Sequence, residues 1–108
     1  MDKKTFLKLF MWVFTNKNLL KDTRYVLMAI MEYQNMFKLE ETFTLYGATM
    51  FTYFGLRTET LDYVINYLNN RGWLESKKEE NNYLITINYN KIEEQYEKEK
   101  KYWNTRIK

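Results

Sequence analysis

The sequence contains no cysteine and no histidine, and only three glycines among its 108 residues. Without cysteine there is no disulfide framework and no thiolate nucleophile, and without either residue there is no zinc site of the usual kind and no imidazole base. No apolar run comes near the roughly twenty residues of a membrane span, and no small-residue cleavage site marks a signal peptide. We therefore expect a cytoplasmic protein with no metal, no cofactor and no membrane partner.

The remaining side chains also argue against catalysis. Carboxylates, tyrosines and lysines are possible catalytic groups, but no pair of them forms a recognisable catalytic pattern. The glycines are too scattered for a loop that cradles phosphates. We interpret the protein as a non-enzyme without a small-molecule substrate.

Length and charge indicate a single domain, residues 1–108, that is compatible with a polyanionic partner. A chain of this size can bury one core but not two. The net charge is +3 and the pI is about 9.0. The excess lies at the two ends: residues 1–21 hold five lysines against one aspartate, a net charge of +4, and residues 91–108 give +2.

Hydrophobic periodicity predicts an α+β fold. Helices are expected from Lys4 to Phe14, from Asp22 to Phe37, from Tyr46 to Phe54, from Thr58 to Gly72 and from Asn90 to the end of the chain. Alternation predicts a short strand around Phe43 and Leu45, and a hairpin of two strands, Trp73 to Ser76 and Tyr83 to Tyr89, joined by polar residues 77–82.

Capping residues and buried stripes refine these predictions. Asp22, Thr58 and the Asn90–Glu93 pair are expected to cap the second, fourth and fifth helices. Gly55 and Gly72 are expected to end the third and fourth helices in the left-handed conformation. The stripe Val26, Ile30, Tyr33 and Phe37 is expected in the core. Tyr46, Tyr53 and Tyr63 could stack on the bases of a single strand, but aromatic residues at helical spacing are usually core, and duplex DNA is favoured over single strands.

From about Asp22 to Asn90 the sequence resembles the winged helix-turn-helix family. The residues that carry the resemblance are Met50, Phe54, Gly55, Leu56, Thr60, Leu61, Val64, Ile65, Leu68, Gly72, Trp73 and Leu74. The resemblance implies a winged helix with flanking N- and C-terminal helices that binds DNA. Small plasmid- and phage-borne members of this composition include the TcpK type, found at conjugative transfer origins, and the TubR type, a dimeric binder of partition centromeres. Phe51 departs from the family pattern, because an alanine there usually lets the two helices approach.

The fourth helix and the hairpin supply the candidate DNA contacts. On the helix these are Arg57, Thr58, Thr60, Tyr63 and Asn66. Glu59 and Asp62 are expected on the same solvent face, and a carboxylate about 4 Å from a phosphate is repelled by ~1 kcal/mol in bulk water. At the wing tip the candidates are Lys77, Lys78, Asn81 and Asn82, which have the chemistry for a minor groove, although an ordinary solvated turn is the alternative. Phosphate contacts are expected from Lys3, Lys4 and Arg71.

The terminal helices carry apolar residues that predict a homodimer. They are Phe6, Phe10 and Phe14 in the first helix, and Ile92, Tyr96, Trp103 and Ile107 in the last. The alternative is that the two helices pack on each other within one chain.

The resemblance, together with the candidate contacts, implies a sequence-specific, double-stranded DNA-binding protein of a mobile element. The leading hypothesis is a plasmid conjugation accessory factor that binds near the transfer origin through its wing. One alternative is a transcriptional repressor or partition centromere binder that uses the fourth helix. Another is a protein-interaction adaptor with no DNA role, since fold does not fix function.

Overall fold

The computed structural model describes the backbone of residues 1–107 and the side chains of residues 1–101. Its elements are α1 (Lys3–Thr15), α2 (Lys21–Met36), β1 (Thr42–Tyr46), α3 (Gly47–Phe54), α4 (Thr58–Arg71), β2 (Leu74–Glu79), β3 (Asn82–Ile87) and α5 (Tyr89–Ile107). The α+β class predicted from the sequence is confirmed. Within the described backbone, no helix combines the length and the apolar character needed to cross a bilayer.

The three strands form one antiparallel sheet in the order β1-β3-β2. Along the central strand β3, Tyr83, Ile85 and Ile87 are buried and the residues between them are exposed or half-buried, as the alternation predicted. The last pair of β2 with β3 joins Glu79 to Asn82, so the turn between them has only two residues. Strand β2 therefore extends three residues beyond its predicted end, whereas β3 ends two residues before its predicted end, and Lys77 and Lys78 lie within β2 and not in a loop.

The core lies between this sheet and the buried stripes of α1, α2 and α4. Its fully buried side chains include Leu9, Ile30, Leu68 and Ile85. The predicted stripe of α2 is confirmed except at Phe37, which is 55% exposed. Phe37 follows the last residue of α2, so its backbone no longer continues the buried side of the helix. The centroid of its ring still lies 5.3 Å from that of Tyr33.

The last helix, α5, packs on α1 within the same chain. Ile92 is fully buried, and the ring of Tyr96 meets Trp12 edge-on at 5.7 Å between centroids. The indole Nε1 of Trp12 donates to Glu99 Oε2 at 3.2 Å, and the ammonium of Lys8 lies 3.4 Å from Glu93 Oε2. Apolar packing and ion pairing thus fix the two terminal helices side by side.

Two of the predicted helix caps are wrong by one or two residues. The residue before α2 is Leu20, and Asp22 lies in the first helical turn, where its charge still complements the helix dipole. Before α4 the cap position is Arg57, whose side chain makes no capping hydrogen bond, so Thr58 is already helical.

At α5 the cap also differs from the prediction. The side chain of Asn88, not of Asn90, accepts a hydrogen bond from the backbone N–H of Lys91 at 3.3 Å. The helix therefore begins before the Asn90–Glu93 pair, and that pair is not a capping box. Both glycine predictions are confirmed, since Gly55 and Gly72 have φ values of 66° and 84°.

Candidate nucleic-acid interface

The exposed face of α4 lies opposite its buried stripe. Leu61, Val64, Ile65 and Leu68 fill the core side of the helix. Four of the five predicted DNA-contact residues, Arg57, Thr58, Tyr63 and Asn66, are exposed, and Thr60 is half-buried. The helix therefore presents a positive group, a hydroxyl, a phenol and an amide to solvent along about two turns.

Asp62 does not lie free on this face, contrary to the sequence prediction. The Nζ of Lys78 is 2.9 Å from each of its two carboxylate oxygens, and the Tyr83 hydroxyl donates to Oδ1. The hydrogen bond from Lys78, followed by that from Tyr83, lowers the pKa of Asp62. Burial, together with the neighbouring carboxylate, raises the pKa of the Tyr83 phenol. Because Lys78 pairs with Asp62, the acidic character of the exposed face is reduced to Glu59.

The hairpin turn is docked on the start of α3. The backbone N–H of Gly47 lies 3.2 Å from the carbonyl oxygen of Asn81 and 3.3 Å from the side-chain oxygen of Asn82. A Cβ on Gly47 would clash with that carbonyl oxygen. Strand β1 also pairs with β3 as far as Asn82, so the hairpin extends beyond the sheet only by its turn. Asn82 therefore has a structural partner, whereas the sequence predicted a free wing-tip amide.

The two lysines of the hairpin both face carboxylates. Lys78 pairs with Asp62, and the Nζ of Lys77 lies 4.0 Å from Glu79 Oε1 in an exposed pair. Glu80, in the turn itself, adds a further negative charge and has a φ of 58°. The predicted wing tip is thus less basic than its lysine pair suggested.

The predicted phosphate contacts lie in two separate places. Arg71, at the end of α4, is held by a 2.8 Å hydrogen bond to the Tyr67 hydroxyl and stacks 4.4 Å over the Trp73 ring. Lys3 and Lys4 are exposed on α1, whose main contacts are with α2 and α5. The structure therefore brings Arg71 to the α4 surface but does not bring Lys3 and Lys4 there.

Exposed aromatic residues are a feature that the sequence reasoning missed. Phe51 is 60% exposed, Tyr53 73% and Tyr63 61%, and Tyr46 is also exposed, so the core interpretation of the three tyrosines is wrong. The exposure of Tyr63 agrees with its other assignment, to the solvent face of α4. Phe51 does not separate the helices, because it points away from the core. A signal was available for Phe51, which follows the core position Met50 directly and so lies on a different side of α3, but not for Tyr53, which is three residues from Met50 and shares its side of the helix.

Most of the described residues assigned to a dimer seam are used within the chain. Phe6 and Ile92 are buried, Phe10 stacks on Phe6, and Tyr96 packs on Trp12. These assignments are corrected, because their burial needs no second copy. Phe14 remains 54% exposed. The side chains of Trp103 and Ile107 lie outside the described residues.

In the part of the chain that the structure describes, no group of carboxylates is arranged to hold a metal ion. Comparison of the whole chain with protein-family models, with curated proteins and with solved structures finds no match.

Proposed function

We propose that this protein is a winged-helix DNA-binding protein that places α4 in the major groove of a duplex. The order of its central elements, helix, strand, two helices and a hairpin, with the sheet order β1-β3-β2, supports this proposal. In that arrangement α4 is the recognition helix and β2–β3 is the wing. An exposed helix of 14 residues has the dimensions that a major groove admits.

The observation that carries the proposal is the pairing of Asp62 with Lys78. An unpaired carboxylate about 4 Å from a phosphate at a partly shielded surface is repelled by ~4 kcal/mol, which would oppose docking of α4. With Lys78 at 2.9 Å, the pair has no net charge. Arg57 then attracts phosphates at the start of the helix, and the amide of Asn66 has the donor and acceptor that adenine requires.

The geometry favours α4 over the hairpin tip as the main contact. Lys77 and Lys78 both face carboxylates, and the turn is docked on Gly47. DNA contact through the fourth helix, which the sequence analysis gave as the alternative, is therefore the preferred hypothesis over contact through the wing. The biological process stays a prediction from the resemblance: contact through α4 favours partition or repression, which were tied to the fourth helix, over conjugative transfer, which was tied to the wing.

Binding of the full chain to duplexes selected from a random pool tests the proposal. We expect Asn66→Ala to lower affinity for the selected site by about 1–3 kcal/mol and to relax preference at one adenine. Arg57→Ala should weaken binding to all sequences and flatten the plot of log affinity against log salt by about 0.9. Asn35→Ala, an exposed asparagine of α2, is the matched control. Absence of salt-dependent binding to any duplex at micromolar protein would contradict the proposal.

The exposed aromatic side chains favour a second candidate, a protein-interaction adaptor. Phe51 and Tyr53 place two large rings in solvent on α3, and aromatic residues are enriched in protein interfaces. The double variant Phe51→Ala and Tyr53→Ala distinguishes the candidates. A DNA binder that uses α4 keeps its affinity for the duplex in this variant. An adaptor shows no duplex binding, either as the wild type or as the variant.

A further inference from the structure

The outer face of α1, formed by Leu7, Met11 and Phe14, is apolar and uncovered. The three side chains are 52%, 50% and 54% exposed. Their spacing of four and three residues places them on one side of the helix. The opposite side, with Leu9 and Val13 fully buried, packs into the core. A helix that is apolar on two sides is expected to be covered on both, and the described chain covers only one.

Lysines flank this face at both ends. Lys3 and Lys4 lie at the start of α1, and Lys17 lies in the turn that follows it. Within residues 1–101, none of the three has a carboxylate partner. The nearby carboxylate of Asp2 already accepts a 2.7 Å hydrogen bond from the N–H of Thr5, and α1 itself contains no acidic residue. These lysines favour an anionic occupant of the face, and their shared positive charge disfavours a second copy of the same face.

The shape of the face favours a flat occupant. An open cavity of about 1050 Å³ lies near the start of α1, and Lys3 and Phe6 line it, but Leu7, Met11 and Phe14 do not. The three side chains form a ridge on the outside of a helix. A ridge of apolar groups between cations suits the boundary between lipid headgroups and acyl chains.

We propose that the outer face of α1 binds anionic lipid membranes peripherally. In this arrangement α1 lies in the plane of the interface, with Leu7, Met11 and Phe14 inserted and Lys3, Lys4 and Lys17 on anionic headgroups. The proposal departs from the sequence-based expectation of no membrane partner, because the exposure of these side chains depends on which side of α1 meets the core. The binding is independent of the proposed DNA contact.

Co-sedimentation of the full chain with lipid vesicles tests this inference. The vesicles contain phosphatidylcholine alone, or phosphatidylcholine and phosphatidylglycerol in equal amounts. We expect binding to the anionic vesicles to exceed that to the neutral ones by more than about tenfold and to fall with added salt. Leu7→Ala with Phe14→Ala should reduce anionic binding at least about tenfold. The matched control, Phe51→Ala with Leu84→Ala, removes exposed apolar groups elsewhere and should bind as the wild type does.

A second pair of variants tests the charges. Lys3→Gln with Lys4→Gln should weaken anionic binding roughly tenfold or more, whereas Lys98→Gln with Lys100→Gln, on α5, should not. Circular dichroism checks that each variant is folded. Three outcomes overturn the proposal: no pelleting with anionic vesicles, equal loss in face and control variants, or a lower sedimentation mass of the Leu7→Ala, Phe14→Ala variant, which would identify a contact between copies. Duplex binding, measured on the same variants, should be unchanged.

Discussion

Gly47 joins β1 to α3 at the point where the hairpin turn packs against the helix. Its N–H lies within hydrogen-bond distance of both Asn81 and Asn82, and its missing side chain leaves room for the Asn81 carbonyl group. Glycine is required here because the Asn81 carbonyl group approaches its Cα closely. Its φ is not the reason, since Gly55 and Gly72 are the glycines with positive φ.

Gly47→Ala should therefore destabilise the fold. The added methyl group must displace the hairpin turn, and overpacking of this kind costs about 1–3 kcal/mol. Urea unfolding measures the change. Ala48→Gly, at the exposed neighbouring position, is the control and should cost no more than about 1 kcal/mol through helix propensity. Equal stability of Gly47→Ala and the wild type would contradict the close approach.

Asp62 links the candidate DNA surface to the hairpin through a charge that can be titrated. Its pKa in the folded chain is below the ordinary value of 3.8. Because the folded value is the lower one, the pair stabilises the protein above about pH 4, and this contribution is lost as the pH falls through the folded pKa. Both partners are more than 40% exposed, with side-chain exposures of 42% and 43%, so the contribution is about 0.5 kcal/mol.

Asp62→Asn should lower stability by this small amount at pH 7, and the difference from the wild type should shrink as the pH falls below about 4 and the wild-type carboxylate takes up its proton. On duplex DNA the same variant should bind more tightly, by about 1 kcal/mol, because Lys78 is released from its partner. Lys78→Ala should weaken binding, and the double variant should recover part of that loss. Fluorescence anisotropy with the selected duplex measures all three. If Lys78→Ala binds as tightly as the wild type, the pair has no role at the DNA surface.

At the scale of elements, the described side chains of α5 attach this helix to the body along α1. Ile92 is fully buried, and the contacts of Tyr96 and Glu99 with Trp12 continue the attachment along α1. Among the side chains of α5 up to residue 101, Ile92 is fully buried and Tyr89 and Tyr96 pack partly buried against the core, so the attachment should be sensitive to substitution of Ile92.

Ile92→Ala should destabilise the protein by about 2–5 kcal/mol, because it removes buried methylene groups and leaves a cavity. Glu94→Ala, two residues away and exposed, should change stability by less than about 0.5 kcal/mol. Thermal unfolding followed by circular dichroism compares the two variants. A small effect of Ile92→Ala would show that α5 contributes little to the core.

For the whole molecule, the homodimer stays a prediction that now rests on the end of α5. Of the described residues assigned to the seam, only Phe14 is not packed within the chain, and we assign it to the outer face of α1. Sedimentation equilibrium should give about twice the 13.4 kDa of one chain, and Trp103→Glu should return it to the mass of a monomer with the helical signal kept. A wild-type monomer with and without DNA would end the prediction.

The sequence by itself determined the elements of this protein. Periods of about 3.6 and 2 residues located every helix and strand, and Gly55 and Gly72 marked two helix ends, because these signals depend only on neighbours along the chain. Cap positions were not determined in this way, because the residues before α2 and α4, Leu20 and Arg57, make no side-chain capping hydrogen bond that a sequence pattern would reveal.

Only the tertiary structure decided what each surface residue does. Lys78 meets Asp62 across 16 positions of sequence, and Asn82 meets Gly47 across 35. The aromatic residues divide in the same way: Phe6 is in the core, whereas Phe14 and Phe51 are in solvent. A local pattern shows that a side chain is charged or apolar, but its partner is fixed by how the helices and the sheet pack, which no short stretch of sequence contains.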